Sequence, residues 1–432
     1  MSWFSIARFV LLQSGSESHD AWDDYDFDLS GEDPSIEASP ATGGWMLGSR
    51  GHYPGLPMLQ NNDADLVYTA FDTSQPVEQP DDLRGREDQI AKLVGGVLFR
   101  RNHGIISGPR GSGKTSIVRS FGQYTDRDGV VVLYSACDKD SSFGELMLEY
   151  LSQIPDSSLD PDAVASFRER IAGLSAGSTP NQVTSMLSMI KYSQVIIICD
   201  EFDRIVEEDL QWKLASVMKL LSDARIPVRL VLVGDPSAFD QIVRGHPSLS
   251  RHITRVRSDP LTREAIVELL DDCASRCSLS FDDKAAATIE TASCGSPYHA
   301  RLFGMHSALR ALTANATRIG QREASDGLRD AFEEWASLNS MAGQRMLEIV
   351  EGQHGPAQPY LSYARRMAYP DHDALGGSTV QLTDPQRRAM GPLLQDGTVS
   401  SRFRDSISPQ FLIAIGHVIN LDRPFVRAST HA

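Results

Sequence analysis

Apolar residues along the chain fall into two alternating kinds of run. Ile105 with Ile106, residues 130–134, 195–199 and 228–233 are short, continuous and rich in β-branched side chains. Such runs predict strands buried on both faces of a parallel sheet. Between them, apolar positions recur every third or fourth residue. Examples are Ile90, Leu93, Val94, Val97 and Leu98, then Phe143, Leu146, Met147, Tyr150, Leu151 and Ile154, then Leu210, Leu214, Val217, Met218 and Leu221. That spacing predicts helices with one buried face. Residues 112–123 are expected to form the helix after the first strand, and residues 161–191 a helical stretch broken near Gly177 to Pro180. Strands alternating with helices imply an α/β fold with right-handed crossovers.

After Pro260 the pattern becomes helical throughout. Residues 262–277, 283–292, 297–313 and 321–335 read as four helices of a small domain. Ordered structure is expected to begin near Leu83. The organisation that follows is an acidic, mostly disordered leader over residues 1–80, an α/β domain over 81–260, a helical lid over 261–336 and a C-terminal domain over 337–432.

Charge sharpens this division. Residues 1–50 hold nine Asp/Glu against two Lys/Arg, too polar a composition to bury a core. The whole chain of 432 residues carries a formal net charge of -16, so any contact with nucleic acid must come from a local patch. Residues 337–432 are that local exception, with nine Arg, no Lys and eight Asp/Glu. The apolar N-terminal stretch from Trp3 to Leu12 is too short for the roughly 20 residues that span a bilayer. Five cysteines without a secretory signal suggest free thiols in the cytoplasm. Cys273 and Cys277 lack a second Cys/His pair at zinc spacing.

The chemistry is concentrated in three strand ends. Gly108-Pro109-Arg110-Gly111-Ser112-Gly113-Lys114-Thr115, followed by Ser116, meets the pattern G-x-x-x-x-G-K-[ST] between an expected strand and an expected helix. Its glycines let backbone N–H groups converge on phosphates, and the helix N-terminus adds its positive end. Lys114 should reach the β/γ-phosphates of ATP, and the Thr115 hydroxyl should hold Mg²⁺. Downstream, four apolar residues lead into Asp200 and Glu201. Asp200 is placed to bind the Mg²⁺ hydration shell, and Glu201 to orient or deprotonate the attacking water. A third strand ends in Gly234-Asp235-Pro236-Ser237, where Asp235 or Ser237 could sense the γ-phosphate, or where an ordinary turn could sit.

With these residues in order, the chain resembles the AAA+ superfamily of P-loop ATPases. It is most similar to the bacterial branch akin to origin-recognition initiators and STAND signalling ATPases. Leu83-Arg84-Gly85-Arg86-Glu87 resembles the box that precedes the P-loop in that group, which implies Arg86 near the adenine. Asp200-Glu201-Phe202-Asp203 resembles its Walker B segment. Arg251 falls where such ATPases often place an arginine finger, with Arg255 and Arg257 as competitors on a loop. Gly295-Ser296-Pro297-Tyr298-His299-Ala300-Arg301 resembles the sensor 2 helix of the lid, with Arg301 as the sensor. The family's first sensor is usually Asn, Thr or Ser, so Gly-Asp-Pro-Ser departs from it.

The resemblance implies ATP-dependent homo-oligomers and a winged helix after the lid. Residues 344–350, 359–367, 385–394, 399–403 and 407–419 could form one, with Arg365, Arg366, Arg387 and Arg388 toward duplex DNA. A helical interaction domain fits equally well, because acidic residues interleave. Two functions follow. One is a DNA-associated ATPase. The other is a nucleotide-controlled switch or scaffold whose acidic N-terminus recruits a protein partner.

Overall fold

The computed structural model describes residues 61–77, 83–239, 242, 247–368, 382–395, 403–405 and 407–422. The acidic leader up to residue 60 and, of the expected wing segment 399–403, residues 399–402 lie outside them.

Five parallel strands form the central sheet. They are β1 (His103–Ser107), β2 (Val130–Ala136), β3 (Gln194–Asp200), β4 (Val228–Gly234) and β5 (Ile253–Arg257), arranged in the order β2-β3-β4-β1-β5. Successive side chains of β1 point to opposite faces, so Ile105 and Ile106 enter different cores. On one face, Ile106, Ile196, Ile198, Val231 and Val233 meet the helical stretch at residues 87–99 and the helix Lys114–Thr125. On the other, Ile105, Val195, Ile197, Leu230 and Leu232 meet the helices Phe143–Ser152, Val164–Ala172, Pro180–Leu187 and Glu208–Asp223. Both faces of β3 and β4 are covered, which explains their unbroken apolar sequences.

The segment after β4 corrects one expectation. Arg255 and Arg257 do not lie on a loop but on β5, an edge strand paired with β1. Ile253 is buried in one core and Val256 in the other, while both arginines stay exposed, as the edge position allows. Gly96 belongs to this corner. A Cβ there would collide with the side chain of Thr254, so only glycine lets the helical stretch approach β5.

The lid follows as helices Arg263–Arg276, Asp283–Ser293, Pro297–Thr313 and Gln321–Leu338, with a two-stranded parallel ribbon of Ser280–Phe281 and Arg318–Ile319. Thr262, Asp282 and Ser296 cap the first three, each side chain accepting a backbone N–H at the third helical position. Further helices are Ser340–Val350, Gln358–Ala368, Asp384–Met390 and Ser408–Asp422. The regions expected to divide at residue 336 share one apolar core. Phe411 of the last helix stacks on Trp335 at 4.8 Å and meets Phe303 edge-on at 5.9 Å. Among the described residues of this region the only extended pairings are isolated bridges, Gln353 with Gly355 and Leu394 with Phe403, so no wing is shown.

The leader over residues 1–80 reads in sequence as mostly disordered, with residues 51–80 an extended lead-in. Instead Asn61–Ala70 is a helix. Val67, Ala70 and Phe71 are buried in the lid core, and Phe71 meets Phe281 edge-on at 6.4 Å. Burying Phe71 and its neighbours offsets the cost of ordering a polar segment. Among the described residues no helix is long and apolar enough to cross a membrane.

Candidate functional site

The C-terminal ends of β1, β3 and β4 converge beneath the lid on a cavity of about 630 Å³. This is the position where open α/β sheets bind ligands. Its wall brings together Arg86, Arg110, Gly111, Gly113, Lys114, Thr115, Ser116, Asp200, Glu201, Asp235 and Arg301, which sequence reasoning had chosen from five separate motifs.

The loop after β1 has the backbone that phosphate binding requires. Gly111 and Gly113 take φ of 78° and 88°, in the left-handed region that favours glycine. Gly113 caps the following helix without a side-chain hydrogen bond, which leaves that helix's first N–H groups for a ligand. Gly108 and Pro109 present their carbonyls to Lys114, whose Nζ donates to them at 2.8 and 3.0 Å. Burial lowers the Lys114 pKa, while Asp203, Asp235 and Asp200 pull it up. Its ammonium thus sits among three carboxylates and is held on the loop. The Ser112 hydroxyl is fully buried inside the loop and has no hydrogen-bond partner among the described residues.

Arg86 lines the cavity but its guanidinium is engaged elsewhere. Nη1 donates to the Asp259 carbonyl at 2.6 Å and Nη2 to the Ser112 carbonyl at 2.8 Å. The Ser258 hydroxyl donates to the same Ser112 carbonyl at 2.7 Å. Arg86 therefore ties the phosphate loop to the segment leaving β5, which makes it a positioning residue in this geometry.

Asp200 is buried at the tip of β3. Its Oδ2 accepts the Tyr134 hydroxyl at 2.7 Å, and its Oδ1 accepts the Glu201 N–H at 2.8 Å. Burial, then the Asp200 charge, pushes the Tyr134 pKa up to about 12, so the phenol stays a donor at neutral pH. Glu201 has φ of 51°, unusual for a residue with a side chain. This turn separates its carboxylate from Asp200, and Arg204 holds that carboxylate at 2.9 Å.

At the end of β4, Asp235 closes a local turn. Its Oδ1 accepts from Ser237 N and Oγ at 3.3 and 3.1 Å, and its own N–H donates to Asp203 Oδ1 at 3.0 Å. Asp235 reaches the cavity and Ser237 does not.

The lid supplies the opposite wall. The Ser296 hydroxyl donates to the Gly111 carbonyl at 3.2 Å, and Pro297 and Tyr298 pack over Gly113 and Gly111. One turn along, Arg301 lines the cavity and donates Nη1 to the Asp72 carbonyl at 3.3 Å. Residues 72–77 cross the mouth from there, and the Val77 N–H donates to Ser116 Oγ at 3.1 Å. Arg251 is exposed on the turn before β5 and does not line the cavity.

Sequence reasoning missed Tyr134, Asp203, Arg204, Ser258, Ser296 and the strap at residues 72–77. Asp203 carried a readable signal as the last acid of Asp200-Glu201-Phe202-Asp203. Ser296 lay inside the segment quoted for Arg301, but its contact with the Gly111 carbonyl, like that of Ser258 with Ser112, joins residues far apart in sequence and carried no signal.

The residues fit a Mg²⁺-bound nucleotide. Thr115 lines the cavity and its hydroxyl makes no hydrogen bond to a described residue, and the Asp200 carboxylate lies on the same wall.

Residues 82–233 match the family model of the AAA ATPase domain. The chain carries an AAA+ P-loop ATPase domain. Among solved structures it is similar to a Walker-type ATPase of Pyrococcus abyssi, with a TM-score of 0.48 and 17% identity over 79% of this chain and 99% of that one. It is also similar to Cdc6p of Pyrobaculum aerophilum, with a TM-score of 0.43 and 17% identity over 69% and 78%. The RuvB Holliday junction branch migration motor of Thermotoga maritima gives 0.36 and 16% over 58% and 71%. At such TM-scores these likenesses carry no argument about function. No curated protein matches the chain.

Proposed function

We propose that this chain is a Mg²⁺-dependent ATPase that converts its nucleotide state into movement of the lid and the C-terminal helices. The carrying observation is the single cavity that unites Lys114, Thr115, Asp200, Glu201 and Arg301. In the proposed reaction, the loop N–H groups and Lys114 hold the β- and γ-phosphates in line. Thr115 and Asp200 would hold Mg²⁺, which neutralises charge on those phosphates. Glu201, released from Arg204, orients water and accepts its proton. Arg301 approaches the γ-phosphate from the lid, and Asp235 is placed to sense it. Arg251, exposed and away from its own cavity, would serve a neighbouring subunit's site in an ATP-dependent homo-oligomer.

A specific contact chain supports a conformational output. Ser296 bonds the phosphate loop and accepts from His299 at the start of its helix. His299 and Phe303 of that helix pack on Phe411 of the last helix. A lid that follows the nucleotide would carry the C-terminal helices with it. Arg365, Arg366 and Arg388 are exposed on those helices, which keeps duplex DNA as a client. A protein partner for the acidic N-terminus is the second reading, favoured by the net charge of -16. All five cysteines are free and buried, which suits the cytoplasm.

Steady-state turnover of Mg-ATP with and without duplex DNA tests the proposal, with Glu201→Gln as the blank. Turnover in the wild type should fall about 10²- to 10⁴-fold in that variant. Stimulation by DNA that fades with salt selects the DNA client. Turnover equal in both proteins removes Glu201 from its role, and turnover indifferent to DNA selects the protein-partner reading.

A further inference from the structure

The N-terminal edge of the sheet, opposite the nucleotide cavity, holds a separate pocket of about 220 Å³. Arg101, Lys191, Tyr192, Gln194, Pro227 and Arg229 form most of its wall. The strand ends explain the meeting. Arg101 precedes β1, Gln194 opens β3, and Pro227 and Arg229 flank the start of β4.

Arg229 is 4% exposed, so its guanidinium has been taken out of water. Nε donates to the Arg101 carbonyl, and Nη1 donates to the Ile226 and Val228 carbonyls at 2.6 and 2.5 Å. Nη2 makes no hydrogen bond to a described residue. These carbonyls satisfy N–H groups but supply no counter-charge. Arg101 stands beside it with an exposed side chain in no ion pair among the described residues. Its backbone is left-handed at φ 57°, which fixes the residue at this corner. Burial, then the Arg101 charge, drives the Arg229 pKa down to about 10. No carboxylate lines the pocket. Lys191 at the rim is paired with Asp160 at 2.5 Å, outside the wall. Tyr192 is 62% exposed beside it.

Two guanidiniums thus repel one another at a concave site, in a protein whose net charge is -16. An anion between them would relieve both the repulsion and the burial of Arg229. The pocket is smaller than the roughly 300 Å³ at which small-molecule sites begin, so a single oxyanion group fits better than a nucleotide. Guanidiniums match a tetrahedral oxyanion through paired N–H donors.

We propose that this pocket binds one phosphate group, held by Arg101 and Arg229, with Lys191 and Tyr192 at its rim. The group is either free phosphate or a phosphodiester of a single-stranded nucleic acid whose bases pass over Tyr192.

The test uses the full chain with its nucleotide cavity saturated by a non-hydrolysable ATP analogue and Mg²⁺. Inorganic phosphate and a short oligothymidylate are titrated separately by calorimetry. Arg101→Asn is the variant, because asparagine tolerates left-handed backbone and the carbonyl that Arg229 needs is kept. Lys191→Gln is a second variant at the rim. At least one probe should bind the analogue-loaded protein, and Arg101→Asn should weaken it about tenfold or more while leaving analogue binding unchanged. Oligothymidylate binding that phosphate displaces identifies a phosphodiester, and binding of phosphate alone identifies a free group. No binding of either probe, or binding that ignores both substitutions, overturns the assignment.

Discussion

Replacing Arg86 with methionine should unsettle the phosphate loop rather than alter the choice of base. Methionine keeps much of the volume and removes the guanidinium. Two hydrogen bonds to backbone carbonyls disappear, at 2.6 Å to Asp259 and 2.8 Å to Ser112. Bonds from charged donors contribute roughly 1.5–3 kcal/mol each, so the upper bound is about 6 kcal/mol. Two features reduce it. The Ser112 carbonyl keeps its bond from Ser258, and Asp259 is half-buried, so water can replace the lost donor. About 3 kcal/mol is expected, or roughly 6–12 °C in melting temperature for a domain of this size. The assay is thermal unfolding without nucleotide, beside titrations with ATP and GTP. The structure predicts lower stability and weaker binding of both nucleotides in the same proportion. Unchanged melting with lost preference for ATP over GTP would refute the clamp and restore Arg86 to the adenine.

Two further predictions concern stability. Burial lowers the pKa of His103 and of His299 to about 3, below the roughly 6.5 of an unfolded histidine. The unfolded chain then binds more protons between those values, so stability is full above about pH 6.5 and falls as pH drops. At pH 5 each histidine should cost about 2 kcal/mol, and a urea midpoint that stays flat from pH 7 to 5 contradicts this. Phe71→Ala should destabilise the lid by about 3–5 kcal/mol, because its fully buried ring packs on Phe281 and Gly304. A wild-type unfolding midpoint would show that residues 61–77 are not part of that core.

The elements that could be read from sequence are those whose physics is local. A buried apolar strand, a glycine loop and a helix start lie within a few residues of one another, so the ends of β1 and β3 were legible as elements. Arg86 was legible as a residue but not as a clamp, because its partner carbonyl at Asp259 lies 173 positions away. The helix Asn61–Ala70 was missed because, among its described side chains, only Val67 and Ala70 are buried, too few for a helical pattern. Its order comes from the lid it packs on. β5 was hidden by arginines at alternate exposed positions, which on sequence alone read as a charged loop. The shared core of the lid and C-terminal helices rests on Phe411 meeting Trp335, a contact that no periodicity announces.

The central claim is that the loop at Gly108 to Thr115 holds the phosphates of ATP. Equilibrium titration of a fluorescent ATP analogue into the wild type and Lys114→Ala, both with Mg²⁺, tests it most directly. Loss of a charged contact to two phosphates should weaken binding about hundredfold, near 3 kcal/mol. Affinity within about threefold of the wild type, less than 0.7 kcal/mol, would contradict the account.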